Sequence, residues 1–266
     1  MFTPFAFVKT ISAGIDPDAQ AFITATGITG SDATAINTLV VDLKNYGVWS
    51  KLQAAYPFIG GTATTNKYNL INPADTNAAF RLVFSGGVTH NANGVTFDGI
   101  NGYADTNYVP STNGTLDSQH ISVYNRTSGL TSGFFMAVRD VGVNQCFLAI
   151  QYDPTRVNYI SINSTEVNEG TYSTLQGFIL GNRSGAATEQ FYLNGSQVDN
   201  STKTSLRRPD YSLYLGARNY NGSAQSGTYT NTNLAFATIG TSLTSTEESD
   251  LYTSIQTYNT TLGRNV

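Results

Sequence analysis

Gln190-Phe191-Tyr192-Leu193-Asn194-Gly195-Ser196-Gln197-Val198 reads as two short strands joined by a tight turn. Asn-Gly readily supplies two consecutive residues of positive φ, the backbone that matches the right-handed twist of a two-residue β-hairpin. Outward from this hairpin the chain keeps a period of two. Upstream runs are Phe80-Arg81-Leu82-Val83-Phe84, Val95-Thr96-Phe97, Ile121-Ser122-Val123-Tyr124, Phe134-Phe135-Met136-Ala137-Val138, Phe147-Leu148-Ala149-Ile150, Tyr159-Ile160-Ser161-Ile162 and Phe178-Ile179-Leu180. Downstream come Ser212-Leu213-Tyr214-Leu215 and Leu234-Ala235-Phe236-Ala237-Thr238-Ile239. Short runs divided by Gly- and Asn-rich turns, with no helical spacing between them, predict two packed antiparallel sheets over residues 78–243.

The flanks have a different texture. Residues 1–77 are expected to form an arm with short helices. Asp16 caps, Pro17 opens and Gly27 closes the first of them. Ser31 or Asp32 caps a second, whose Ile36, Leu39, Val40 and Leu43 follow the three-four spacing and which Gly47 ends. Trp49, Leu52 and Tyr56 are expected on one face of a third turn, with Trp49 as a packing anchor. Residues 244–266 open on the capping box Thr244-Ser245-Thr246-Glu247, and Leu251, Ile255, Tyr258 and Leu262 give the following helix one stripe to dock on the sandwich.

Charged residues make up 12% of the chain, against about 25% in an average soluble protein, and 16 Tyr and 14 Phe are present. The implied surface is uncharged and β-rich. The 14 Lys and Arg show no run longer than Arg207-Arg208, which argues against a nucleic-acid track. The single cysteine, Cys146, sits in an apolar run as a buried small hydrophobe. Met1 to Lys9 lacks the charged and apolar regions of a secretory signal, and no stretch is long enough to span a membrane. The expectation is a protein made in a cytoplasm and carried outside only within a released assembly.

Gly94-Val95-Thr96-Phe97-Asp98-Gly99-Ile100-Asn101-Gly102-Tyr103-Ala104-Asp105-Thr106 resembles the opening strand pair of laminin-G-like, concanavalin-type sandwiches. Phe191 to Gly195 and Leu213-Tyr214-Leu215-Gly216-Ala217-Arg218-Asn219 resemble that family's later hairpin and strand. The fold class implied is mainly β, a concanavalin-like antiparallel β-sandwich (jelly roll) with a short N-terminal helical arm and a C-terminal helix. Leu43 to Lys51, Tyr56 to Ala63, Tyr68-Asn69-Leu70 and Tyr258 to Arg264 are similar to segments that flank such domains in bacteriophage structural proteins. That likeness implies a virion location as a decoration, fibre or tail component. It also implies homo-oligomeric assembly, with other virion proteins as partners through the arm; Phe2, Phe5 and Phe7 would be the subunit contact. No cofactor is required by the resemblance. Calcium is the one it allows, held by loop carboxylates at Asp98 and Asp105, with Asp140 and Asp153 as further oxygen donors.

Concanavalin-like glycan hydrolases resemble one another in a Glu-x-Asp-x-Glu strand, where alternation puts the carboxylates on one face. This chain lacks it, and Glu166 and Glu169 are the only pair available as an alternative. His90 and His120 are the only histidines, and both read as turn or edge residues outside any nucleophile motif. The chain is therefore expected to be non-enzymatic. Glycan attachment needs only an aromatic platform and a few polar partners. Two loops offer them: Tyr152 and Asp153 in one, Arg218, Asn219 and Tyr220 in the other. The leading expectation is a virion surface protein that could bind host glycans. A host-encoded carbohydrate-binding module and a polysaccharide-degrading enzyme are the alternatives.

Overall fold

The computed structural model describes residues 14–129, 132–141, 145–153, 156–165, 168–170 and 174–266. Phe2, Phe5 and Phe7 lie outside the described residues, as does Glu166. The chain opens on α1 (Pro17–Thr26), whose Asp16 side chain accepts from Asp18 N and whose Gly27 takes φ 69°, as expected from Asp-Pro and Gly. The second helix, α2 (Gly30–Asn45), starts one residue before the predicted caps, and its N-cap Thr29 makes no side-chain bond. Lys44 Nζ ties the two helices, 2.6 Å from both Asp16 Oδ1 and Asp18 Oδ2.

The helical reading of Trp49 to Tyr56 is corrected. Only Trp49–Lys51 forms a single 3-10 turn; the chain then enters β1 (Leu52–Tyr56), which pairs antiparallel with the last strand of the fold. Alternation is hidden there because both faces are buried: Leu52 and Ala55 face the helices, while Ala54 and Tyr56 face the space between the sheets. Trp49 packs against the helix-side cluster, with Lys44 Nζ 5.3 Å from its ring centroid. The outer edge of β1 is served by a side chain. Buried Asn69 accepts from Ala55 N at 2.9 Å and donates to Gln53 O and Ala79 O, both at 3.1 Å.

A short α3 (Ala63–Asn66) leads to β2 (Val83–Ser85), β3 (Val88–Asn91), β4 (Gly94–Phe97) and β5 (Tyr103–Asp105). After α4 (Pro110–Asn113) come β6 (Gln119–Asn125), β7 (Gly133–Arg139), β8 (Gln145–Asp153), β9 (Arg156–Ser164) and β10 (Asn168–Gly170). Then follow β11 (Gly177–Gly185), β12 (Thr188–Leu193), β13 (Ser196–Ser201), β14 (Tyr214–Leu215), β15 (Arg218–Tyr220), β16 (Ser223–Ala224), β17 (Asn233–Gly240) and α5 (Ser245–Thr261). The first sheet runs β13-β12-β11-β6-β17-β4-β3, with β1 also on β17; the second runs β10-β9-β8-β7-β14-β5-β2. Among the described residues every pair is antiparallel except β15 on β7. The predicted hairpin is present: Leu193 pairs with Ser196 across Asn194 (φ 50°) and Gly195 (φ 76°).

The two sheets form the expected β-sandwich, closed on Ile121, Val123, Phe97, Met136, Leu148 and Ile160 among others. The opposite face of the first sheet is not free. Tyr124, Phe178, Tyr192 and Phe236 pack there against Phe22, Leu39, Leu251 and Tyr258 of the helices, making a third layer. The residues read as an arm over 1–77 therefore belong, from α1 through β1, to the body of the domain.

One residue near the end of the chain locks this layer. Arg264, 1% exposed, donates to Asn259 Oδ1 (2.8 Å), Phe58 O (2.8 Å), Pro57 O (2.7 Å) and Ala235 O (3.0 Å). Its guanidinium also lies 5.0 Å from the Tyr258 ring centroid. A planar fork with five donors can serve four acceptors at once, and a lysine cannot.

Candidate functional site

The Arg218–Tyr220 strand lies beside the end of β7, with Arg218 opposite Ala137 and Tyr220 opposite Arg139. Two of its three residues are consumed by the fold. Buried Arg218 stacks 4.8 Å from the Phe134 ring centroid and donates from Nε to Gln225 Oε1 at 2.7 Å. Buried Asn219 donates to Ser212 O and accepts from Gly222 N, both at 2.8 Å. Tyr220 reaches solvent, at 39% exposure. Strand alternation puts it on the same face as Arg218, the outer face of the second sheet, next to Arg139.

Beyond Tyr220 the chain turns in two residues, Asn221 (φ 52°) and Gly222 (φ 87°), into β16. A side chain at 222 would crowd Tyr211, because a Cβ there would lie 3.2 Å from the Tyr211 ring. Tyr211 is 38% exposed, so two phenols flank one rigid turn. Polar groups gather behind them. Asn221 N donates to Arg139 O at 3.2 Å, while Asn221 Oδ1 and Arg139 Nε are buried without hydrogen-bond partners. Arg207 Nη2 pairs with Asp210 and lies 3.9 Å from Asp140 Oδ2. Tyr211 and Arg139 were not among the sequence-predicted residues, and nothing local joins 211 to 222 or 139 to 220. The turn itself was signalled, since Asn221-Gly222 repeats the dipeptide of the predicted hairpin.

The other predicted loop is elsewhere. Tyr152 and Asp153 end β8 next to Gln151, which pairs with Gly133 at the start of β7, whereas Tyr220 pairs with Arg139 at its finish. Six strand steps, about 20 Å, separate these two positions. The structure does not bring the two loops together.

The candidate calcium ligands are also apart. Asp98 Oδ1 accepts from Ile100 N (2.8 Å), Asn101 N (3.0 Å) and Gly102 N (2.8 Å), and these donors hold its carboxyl below the ordinary range. Asp105 Oδ1 takes Asn107 N at 2.8 Å. Asp98 N bonds Gly87 O, whereas Asp105 pairs with Val83 at the other end of the β2–β5 ladder. Among the described residues no three His, Cys, Asp or Glu side chains gather as a metal site.

His120 is not an edge residue. It is fully buried in β6, with Nδ1 2.6 Å from Thr241 O and Nε2 3.1 Å from Thr238 Oγ1, and burial lowers its pKa to about 4. The neutral ring therefore donates from Nδ1 to a carbonyl. His90 is half-buried, edge-on to Phe84 at 4.5 Å. Of the acidic pair, Glu169 falls in β10 and Glu166 outside the described residues. Three carboxyls are buried among the described residues: Asp140, Glu189 and Glu248. Glu189 accepts from Ile162 N at 2.5 Å and lies 3.4 Å from Arg183 Nη2; burial lifts it to about 7 against the pull of Arg183. Glu248, 2% exposed in the first turn of α5, is lifted to about 7 by burial, and neither of its oxygens has a hydrogen-bond partner.

No protein-family model matches the sequence, and no curated protein matches it. Solved structures do share the fold. Domain 4 of AbnA, a GH43 extracellular arabinanase from Geobacillus stearothermophilus solved with arabinotriose, aligns at TM-score 0.53 and 15% identity, over 76% of this chain and 98% of that domain. Trypanosoma rangeli sialidase with 2,3-difluoro-KDN aligns at 0.55 and 13% identity over 83% of this chain, and the sialidase with sialic acid at 0.54 and 13% over 82%. The chain spans less than two fifths of the latter sialidase chain, at 38%. At these identities the likeness is one of fold. The expectation of a non-enzymatic chain is corrected by it: these sandwiches are parts of enzymes, an arabinanase and a sialidase.

Proposed function

We propose that this chain is a glycan-binding β-sandwich whose contact surface is the edge of the second sheet around Tyr211 and Tyr220. The observation that carries the proposal is the pair of exposed phenols held on either side of the Asn221–Gly222 turn. A tyrosine ring offers an apolar face to the C–H side of a sugar and a hydroxyl at its rim. Asp210, next to Tyr211 in the chain, and the Arg207 that it pairs with are both exposed and supply an acceptor and a donor, the small set of placed polar groups that fixes a ligand's orientation. The fold shared with an arabinanase domain and a sialidase supports placing the chain within glycan-processing machinery.

A location on a bacteriophage particle is the second reading. It rests on the likeness of the flanking segments to those of phage structural proteins. Peptides of this chain in purified particles would support that location, and their absence would remove it.

The test of the site is binding on a glycan array followed by affinity electrophoresis in arabinan and other polysaccharides, with released reducing ends followed in the same reactions. The Tyr211→Ala/Tyr220→Ala double variant should lose about tenfold or more in affinity, 1.4 kcal/mol per decade, at unchanged melting temperature. A folded protein that binds no glycan, or whose binding the double variant leaves intact, refutes the proposal.

A further inference from the structure

Resting on the glycan-binding reading above, we infer that the ligand is a neutral polysaccharide chain, gripped at Tyr220 and again in a polar cleft at the opposite end of β7. Asp98, Gly99, Ser132, Tyr229 and Asn231 line this cleft, whose volume is about 360 Å³. That volume is within the usual range for small-ligand sites, roughly 300–1,000 Å³.

Three separate segments make its walls: the β4–β5 loop, the residue before β7 and the approach to β17. The walls are rigid. The Asp98 carboxylate is pinned by three backbone N–H groups. A Cβ on Gly99 would lie 3.1 Å from Asn231 Cβ, and one on Gly133 would lie 2.6 Å from Tyr229 O, so both backbones pass too closely for a side chain.

The lining therefore offers one carboxylate, an exposed amide, an exposed hydroxyl and a phenol. Adjacent sugar hydroxyls can each donate to the carboxylate and accept from the amide. With no cation among the described residues of the lining, the ionised Asp98 disfavours an acidic sugar, which selects a neutral one.

Ser132 adjoins the start of β7, and Tyr220 sits opposite its last residue. Only a ligand on the order of 20 Å long touches both places. A monosaccharide fills one contact. A longer chain fills both, and the second contact is then made at high effective concentration.

The experiment is calorimetry with a neutral polysaccharide that the wild-type protein binds, and with its oligosaccharides of increasing length. Wild-type affinity should rise with length until the ligand spans both contacts, then level off. Ser132→Ala/Asn231→Ala removes two exposed side chains, so folding should be retained and is checked by melting. This variant should lose tenfold or more for the long chain, and its affinity should no longer rise with ligand length. Affinity independent of length, or a double variant that binds long chains like the wild type, overturns the inference. If Tyr211→Ala/Tyr220→Ala abolishes binding while Ser132→Ala/Asn231→Ala does not, only the extended site falls. If neither pair matters, the glycan-binding surface itself is wrongly placed.

Discussion

Replacing Glu248 by Gln should reverse part of the protein's response to pH. The carboxyl sits beneath α5 against Tyr192 and Asn182, whose own polar atoms are engaged: Tyr192 Oη donates to Gln197 Oε1, and Asn182 Nδ2 to Gln190 Oε1 and Leu243 O. Burial favours the neutral acid and lifts its pKa from 4.5 to about 7, with Glu247 adding to the rise. Between those values the folded protein holds a proton that the unfolded chain releases. The stabilisation is complete below about pH 4.5, declines as pH rises, and is lost above about 7. A shift of about 2.5 units at 1.36 kcal/mol each gives about 3 kcal/mol. Glu189 contributes in the same sense, whereas neutral buried His120 contributes in the opposite sense between its lowered and ordinary pKa. The wild-type curve therefore mixes signs, but the difference between wild type and Glu248→Gln cancels the other groups. Urea denaturation from pH 4.5 to 8 should show the variant gaining about 3 kcal/mol relative to wild type across that span, or about 5–10 °C in melting temperature. Parallel stability curves for the two proteins would show that the carboxyl is ionised in the fold and refute the reasoning.

Arg264→Ala should destabilise by about 3–5 kcal/mol, since it strands buried carbonyls at Pro57, Phe58 and Ala235; a shift of the urea midpoint worth under about 1 kcal/mol would contradict the latch. Gly216→Ala should cost about 2 kcal/mol or more, because φ is 82° and a Cβ would lie 2.5 Å from the Phe97 ring, as thermal unfolding would report. Millimolar calcium should leave the melting temperature unchanged, because Asp98 and Asp105 spend an oxygen on backbone N–H groups at separate ends of a ladder; a rise of several degrees would mean that an ion binds.

The features legible in the sequence are those set by neighbouring residues. Asp16-Pro17, Asn194-Gly195 and the Thr244–Glu247 box each satisfy local backbone groups, and each stands where it was expected. Leu52 to Tyr56 was misread because alternation marks a strand only when one face is wet. Here one face meets the helices and the other meets the second sheet. The candidate edge divides in the same way. Tyr220 is exposed, but Arg218 and Asn219 looked equally available until Phe134, Gln225 and Ser212 claimed them. Arg139 joined the edge through its pairing with Tyr220, and Tyr211 through its close approach to Gly222; neither contact has a counterpart in local spacing.

Arg264 also constrains the order of events during synthesis. The carbonyls of Pro57 and Phe58 leave the ribosome some two hundred residues before the guanidinium that satisfies them. Until then the nascent helical layer has no clasp and exposes Tyr56–Phe58 backbone to wrong partners. A stalled or nicked chain short of that arginine should be a client for chaperones and proteases rather than a slightly weakened protein.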